Sequence, residues 1–105
     1  MRLERLTSVL RVISHPPRLK LLVPLSKLNR GLCVCELVDS LDLPQYQVSR
    51  QLGELRDEDL VKRERDGTWA YYSFNPNLPD SVKVMIQTIV GSLDKEEFEE
   101  EVKKR

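Results

Sequence analysis

Apolar residues recur at helical spacing from the start of the chain: Leu3, Leu6, Leu10 and Ile13, with Val9 and Val12 widening the stripe. The pattern predicts a first helix over about 3–14. His15-Pro16-Pro17 ends it, because a residue before proline is pushed out of helical geometry. Pro17 opens a second helix, where its missing N–H costs nothing. Leu19, Leu21, Leu22, Leu25 and Leu28 run through that helix, and Pro24 inside it predicts a kink or an early end. Asn29-Arg30-Gly31 closes the segment, with Gly31 a favourable helix stop.

Val34, Leu37, Val38 and Leu41 follow the spacing i, i+3, i+4, i+7 and place a short third helix from Cys33 to Leu41. After the turn Asp42-Leu43-Pro44, a fourth helix runs from about Pro44 to Glu58 with Val48, Leu52 and Leu55 as its buried stripe. The period then changes. Residues 60–65 and 69–74 read as strands, and Asp66-Gly67 between them is a hairpin turn signal. Pro76 and Pro79 bracket a loop, and Val82, Met85, Ile86, Ile89, Val90 and Leu93 mark a last helix, followed by a charged tail from Asp94. The chain is therefore mostly α with a β-hairpin, in the order helix, helix, helix, helix, hairpin, helix. Two helices joined by a tight turn and followed by a hairpin form a winged helix-turn-helix, with the helix-turn-helix over about 33–58 and the wing over about 60–74.

At 105 residues the chain is expected to form a single domain over 1–105. No stretch reaches the roughly 20 apolar residues of a membrane span, and the first residues lack a secretory pattern, so a cytoplasmic location is expected. The formal net charge is zero, which argues against tight non-specific nucleic-acid binding. The distribution is uneven: residues 1–30 carry seven Lys/Arg against one Glu, and residues 94–105 carry four Lys/Arg against six Asp/Glu. A local basic surface that follows phosphates therefore remains open. Two cysteines one residue apart cannot staple a secreted mini-fold, and in a reducing compartment they suit a metal or redox site.

With Val48, Leu52 and Leu55 turned inward, the helical period points Tyr46, Arg50 and Gly53 outward and puts Gln47 and Ser49 on the flanks. Gln pairs with adenine, Arg with guanine or phosphate, and Ser with either kind of group, so Gln45, Tyr46, Gln47, Ser49 and Arg50 form a candidate DNA-reading set. Lys62, Arg63 and Arg65 before the turn make the wing cationic, diluted by Glu64 and Asp66. A solvated helix face and a charged edge strand account for each feature alone; together they favour double-stranded DNA as the partner. No glycine-rich phosphate loop and no nucleophile–base pair is present, and an enzyme is not expected.

Several segments resemble one family. Ser14-His15-Pro16-Pro17-Arg18-Leu19-Lys20-Leu21-Leu22 resembles the lead-in to the second helix of ArsR/SmtB-type metalloregulators. Leu32-Cys33-Val34-Cys35-Glu36-Leu37 is similar to the cysteine box of the arsenic-responsive branch. Residues 45–60 resemble its recognition helix, with Val48-Ser49-Arg50 matching closely, and residues 65–72 resemble its wing. The resemblance covers about 10–76 and implies a dimeric repressor of a metalloid-resistance operon, joined through its first and last helices. Two departures stand out: Gln51 occupies the place of the family's usual His, and Val38 that of a third box cysteine.

Cys33 and Cys35 are the candidate metal ligands, and their softness selects As(III) or Sb(III) as inducer over hard cations, with no cofactor required. In a regular helix two residues two apart lie about 200° around the axis, so both sulfurs reach one ion only if the first turn is extended or distorted. Clamping them would then deform the third helix and shift the fourth. A preference of about 3 kcal/mol for the deformed state lowers operator affinity more than a hundredfold. As(III) normally takes three sulfurs, so the third position falls to a hydroxide, a small thiol or another side chain. Two alternatives stay open: a strained Cys33–Cys35 disulfide that senses oxidants, and a winged helix used for protein contacts.

Overall fold

The computed structural model describes residues 2–28 and 30–93. Among these the order is α1 (Leu3–Ile13), α2 (Pro16–Lys27), α3 (Val34–Leu41), α4 (Gln45–Asp57), β1 (Val61–Asp66), β2 (Trp69–Phe74) and α5 (Asp80–Ser92), a winged helix-turn-helix. The closing role expected of Asn29 and the charged tail from Asp94 lie outside the described residues.

Leucines build the centre. Leu21, Leu22 and Leu25 of α2 interlock with Leu37 of α3, Val48, Leu52 and Leu55 of α4, and Val82 and Ile86 of α5, all essentially without solvent exposure. Burying a side chain of this size contributes about 1.5–3 kcal/mol each, which is why α2 sits in the middle of the helices despite its two opening prolines. Pro24 does not end α2; the helix runs on to Lys27, and the N–H of Leu28 still donates to the carbonyl of Pro24 at 2.9 Å. With Leu25 in the core on the next residue, packing outweighs the proline's cost.

The apolar stripe of α1 divides in two. Val9 and Ile13 enter the core, whereas Leu3 and Leu10 remain 71% and 42% exposed. The division follows from spacing: Val9 and Ile13 are four apart and share one face, and Leu3 and Leu10, seven apart, share another. Arg5 at the partly buried side of α1 pairs with Glu58 just past α4 at 2.8 Å.

The hairpin differs from expectation by one residue. Asp66 is still paired, opposite Trp69, so the two-residue loop is Gly67-Thr68. Gly67 takes φ +64°, the conformation a tight hairpin demands at its first loop position. Asn75 was not anticipated: its Nδ2 donates to the carbonyl of Asp59 at 2.8 Å, and its backbone N–H to that of Leu60 at 3.0 Å. It ties the end of β2 to the turn between α4 and β1, where Asp59 has φ +62°.

Candidate nucleic-acid interface and thiol site

Helix α4 buries the stripe expected from its periodicity. Val48, Leu52 and Leu55 are completely enclosed, which turns the opposite side outward. Gln45, Tyr46, Ser49 and Arg50 are exposed, Tyr46 by 73%, and Gln47 is half-buried on the flank. Gln51 is the residue that outward-looking sequence reasoning passed over. It is buried, and its Oε1 accepts from Nε of Arg18 at 2.7 Å. Arg18 also donates from Nη1 to the carbonyl of Val12 at 3.1 Å.

The hairpin register sorts the wing's charges by face. Directly paired residues of antiparallel strands point the same way, and faces alternate along each strand. Arg63 pairs with Tyr72 and Arg65 with Ala70, so both arginines share the face that carries buried Val61 and Tyr72. Lys62, Glu64 and Asp66 pair with Ser73, Tyr71 and Trp69 on the other face. Arg63 and Arg65 are exposed and Lys62 is half-buried. The sequence had grouped Lys62 with the arginines; the pleat separates them and puts it beside the acids.

The thiol pair sits at the start of α3, and Cys33 is not helical. It is the N-cap, with extended backbone at φ −84° and ψ 164°, and α3 begins at Val34. The expected start at Cys33 is therefore one residue early, and the sulfurs are not two positions of one regular helix. The cause is a capping box: the backbone N–H of Cys33 donates to Oε1 of Glu36 at 3.2 Å, and the Glu36 N–H turns to the Cys33 side chain. Cys33 is half-buried, Cys35 is exposed, and both are free thiols. The half-extended approach moves towards the condition under which residues two apart reach one ion.

Arg30 completes the box. Its Nη2 donates to Oε2 of Glu36 at 2.8 Å, and its Nη1 to the carbonyl of Gly31 at 3.1 Å. The Arg30 guanidinium, and then the Cys33 backbone N–H, hold the Glu36 carboxyl down at about 2; Glu36 in turn raises Arg30. The two thiols fit a soft ion as donors. Among the described residues no cluster of three or more His, Cys, Asp or Glu is placed to hold a metal. His15 is exposed at the N-cap of α2, where its carbonyl accepts from the N–H groups of Arg18 and Leu19.

Leu32 joins the thiols to the wing. It exchanges both backbone hydrogen bonds with Tyr72, each at 2.8 Å, forming a one-residue strand on the free edge of β2. Gly31 makes this approach possible: a Cβ there would lie 2.9 Å from Cβ of Tyr71. Gly31 thus serves close packing and not the helix stop expected of it, since α2 already ends at Lys27.

The family described as "Bacterial regulatory protein, arsR family" matches residues 15–63. The arsenic resistance transcriptional regulator ArsR1 of Pseudomonas putida is 41% identical over 61 residues, 58% of this chain and 48% of that protein. The chain spans about half the length of ArsR1 and of its relative ArsR2 from the same organism. The transcriptional repressor PagR of Bacillus anthracis is 36% identical over 86 residues, covering 81% of this chain and 85% of PagR. The crystal structure of PagR superposes with a TM-score of 0.70 at 34% identity, over 83% of this chain and 94% of that one. Reduced HlyU of Vibrio cholerae superposes with a TM-score of 0.73 at 26% identity, over 88% and 92%.

Proposed function

The chain belongs to the arsR family of bacterial regulatory proteins, and from that premise we propose a repressor that binds operator DNA as a homodimer and releases it when As(III) or Sb(III) closes on Cys33 and Cys35. The observation that carries this reading is the position of the thiols: Cys33 is the N-cap of α3 and directly follows Leu32, whose bridge to Tyr72 reaches the wing, and Cys35 lies in the first turn of the helix.

Two levers lead from that point to DNA. Each As–S bond would replace an As–OH bond, the thiol giving up its proton and the hydroxide leaving with it as water, with the third position left to a hydroxide, a small thiol or another side chain. Drawing both sulfurs to one ion would pull on the Cys33 side chain at the N-cap of α3. That would strain the first turn of α3, a helix packed against α4, and α4 carries Gln45, Tyr46, Gln47, Ser49 and Arg50. The same motion pulls Leu32 against Tyr72, the residue directly across from Arg63. A combined preference of about 3 kcal/mol for the deformed state is enough for a hundredfold loss of affinity.

Exposed Leu3 and Leu10 on α1 and Val84 on α5 support self-association through the terminal helices. Polar Gln, Ser and Arg on α4 match base edges, and Arg63 with Arg65 match phosphates.

The test is a mobility shift on the chain's own promoter, with and without arsenite, for wild type, Cys33→Ser and Cys35→Ser. Wild type should release and both variants should stay bound. Induction that survives in both variants overturns the sensor. Release by peroxide that dithiothreitol reverses, with no effect of arsenite, points instead to a disulfide. Binding without sequence selectivity or salt dependence removes the DNA reading, and a strictly monomeric mass in light scattering removes the dimer.

A further inference from the structure

We infer that Arg18 and Gln51 are positioning residues for sequence recognition: their hydrogen bond fixes the roll of α4 about its own axis and so aims the groove-reading side chains. The inference rests on the DNA-binding reading above.

The apolar contacts of α4 set which side faces outward, and a hydrogen bond can fix its roll more finely. Val48, Leu52 and Leu55 face leucines of α2 and α3, and such packing is non-directional. A hydrogen bond is directional. The Arg18 Nε to Gln51 Oε1 distance of 2.7 Å spans 33 positions of sequence and joins the lead-in of α2 to the middle of α4. Arg18 is itself held from a second side by the carbonyl of Val12 in the last turn of α1. The guanidinium is a planar fork, so its two bonds leave it little freedom. α4 is thereby referenced to α1 and α2 at one point.

That point lies where roll matters. Gln51 is one turn from Gln47 on the same flank and next in sequence to Arg50. A helix with its side chains has a radius of about 5–6 Å, so a roll of about 10° moves a base-contacting atom by about 1 Å. Useful hydrogen-bond lengths span only about half an ångström, so such a roll breaks base contacts. Phosphate contacts by flexible, exposed arginines of the wing survive it. Loss of the Arg18–Gln51 bond therefore reduces discrimination between sequences more than it reduces attraction to DNA.

The experiment compares two duplexes: one selected by the wild-type chain from a randomised 30-base-pair library, and one scrambled version of the same composition. Gln51→Met keeps the length and apolar stem and removes the acceptor. It should lower the selected-to-scrambled affinity ratio about tenfold or more, with affinity for the scrambled duplex changed by less than about twofold. Arg18→Met should do the same, and the double variant should be no worse than either single one. Gln51→Glu restores an acceptor for Arg18 and should return the ratio to within about threefold of wild type, whatever its added charge does to both affinities together. A general packing role would lower the unfolding midpoint and leave the ratio in the folded protein intact; that result overturns the inference, as does failure of Gln51→Glu to restore the ratio. If wild type selects no duplex, the DNA reading itself has failed and the inference falls with it.

Discussion

Replacing Gly31 with alanine tests whether the segment before Cys33 is packed directly against the wing. The backbone of Gly31 does not require glycine, since Gly67 is the glycine with positive φ among the described residues. Space requires it. The new Cβ would stand 2.9 Å from Cβ of Tyr71, and ordinary contact begins at 3.4 Å, so β2 or the 30–32 segment must yield by at least 0.5 Å. Tyr71 Cβ is fixed to the strand backbone and cannot swing away as the end of a long side chain would. Overpacking of this kind costs about 1–3 kcal/mol. The reduced entropy of the unfolded chain returns about 0.4–1 kcal/mol. The net is about 1–2 kcal/mol of destabilisation, or a fall in Tm of roughly 5–10 °C for a domain this small. Gly53→Ala is the matched control: a Cβ there meets nothing within 4 Å, so the helix gains about 0.5–1 kcal/mol and the sign reverses. Urea unfolding at constant m-value reads both. A Gly31→Ala protein as stable as wild type would refute the close approach, and with it the mechanical link from Leu32 to the wing.

Cys33→Ser should keep or slightly raise stability, because serine is a preferred N-cap; thermal unfolding beside the mobility shift then separates loss of the sensor from loss of the fold. Arg63→Ala and Arg65→Ala should each flatten the slope of log affinity against log salt by about 0.9, while Lys62→Ala, half-buried on the acid-bearing face, changes it much less. Glu36 is held at about 2 in the folded chain against its usual 4.5, so its contribution to α3 is complete above pH 4.5 and disappears as pH falls through about 2. Carboxyl NMR should find that low titration point, and Arg30→Met should move it up, since Arg30 is its largest cause.

Periodicity made the helices legible and left the links between them unread. Val48, Leu52 and Leu55 carry their own evidence, because burial of one helix face repeats at a fixed interval. The start of α3 is different. Val34, Leu37, Val38 and Leu41 fit a helix beginning at Cys33 or at Val34 equally well, and the choice is made by the Glu36 capping box, three residues on. A Cys-x-x-Glu sequence carries that signal only faintly, cysteine being an uncommon cap. The division of α1 into a core face and an exposed face needed the position of α2 and α4. The bonds Arg18–Gln51, Leu32–Tyr72 and Asn75–Asp59 join positions far apart in sequence, and no local pattern marks them. The wing's charge faces were within reach: fixing the turn at Gly67-Thr68 sets the pairing, and alternation then gives Arg63 with Arg65 and Lys62 with Glu64 and Asp66.

That sorting bears on how an uncharged chain can grip DNA. Net charge governs long-range attraction, but contact depends on which charges share a surface. On the hairpin the acids do not neutralise the arginines, because the pleat points them to opposite sides. Glu58 is occupied by Arg5, and Glu36 by Arg30, so two further acids are spent on internal pairs. What remains on the outward side of α4 is Gln45, Tyr46, Ser49 and Arg50 in its first half, with the acids Glu54 and Asp57 exposed towards its end, and the wing adds a face carrying two guanidinium groups. Weak non-specific attraction from such a surface favours release: an operator complex that rests on directional base contacts, and little on bulk charge, is broken by a displacement of about 1 Å in α4. A strongly basic wing would keep the protein on DNA after the same displacement. In the proposed function, the balanced charge and the small mechanical reach of two thiols would act in the same direction.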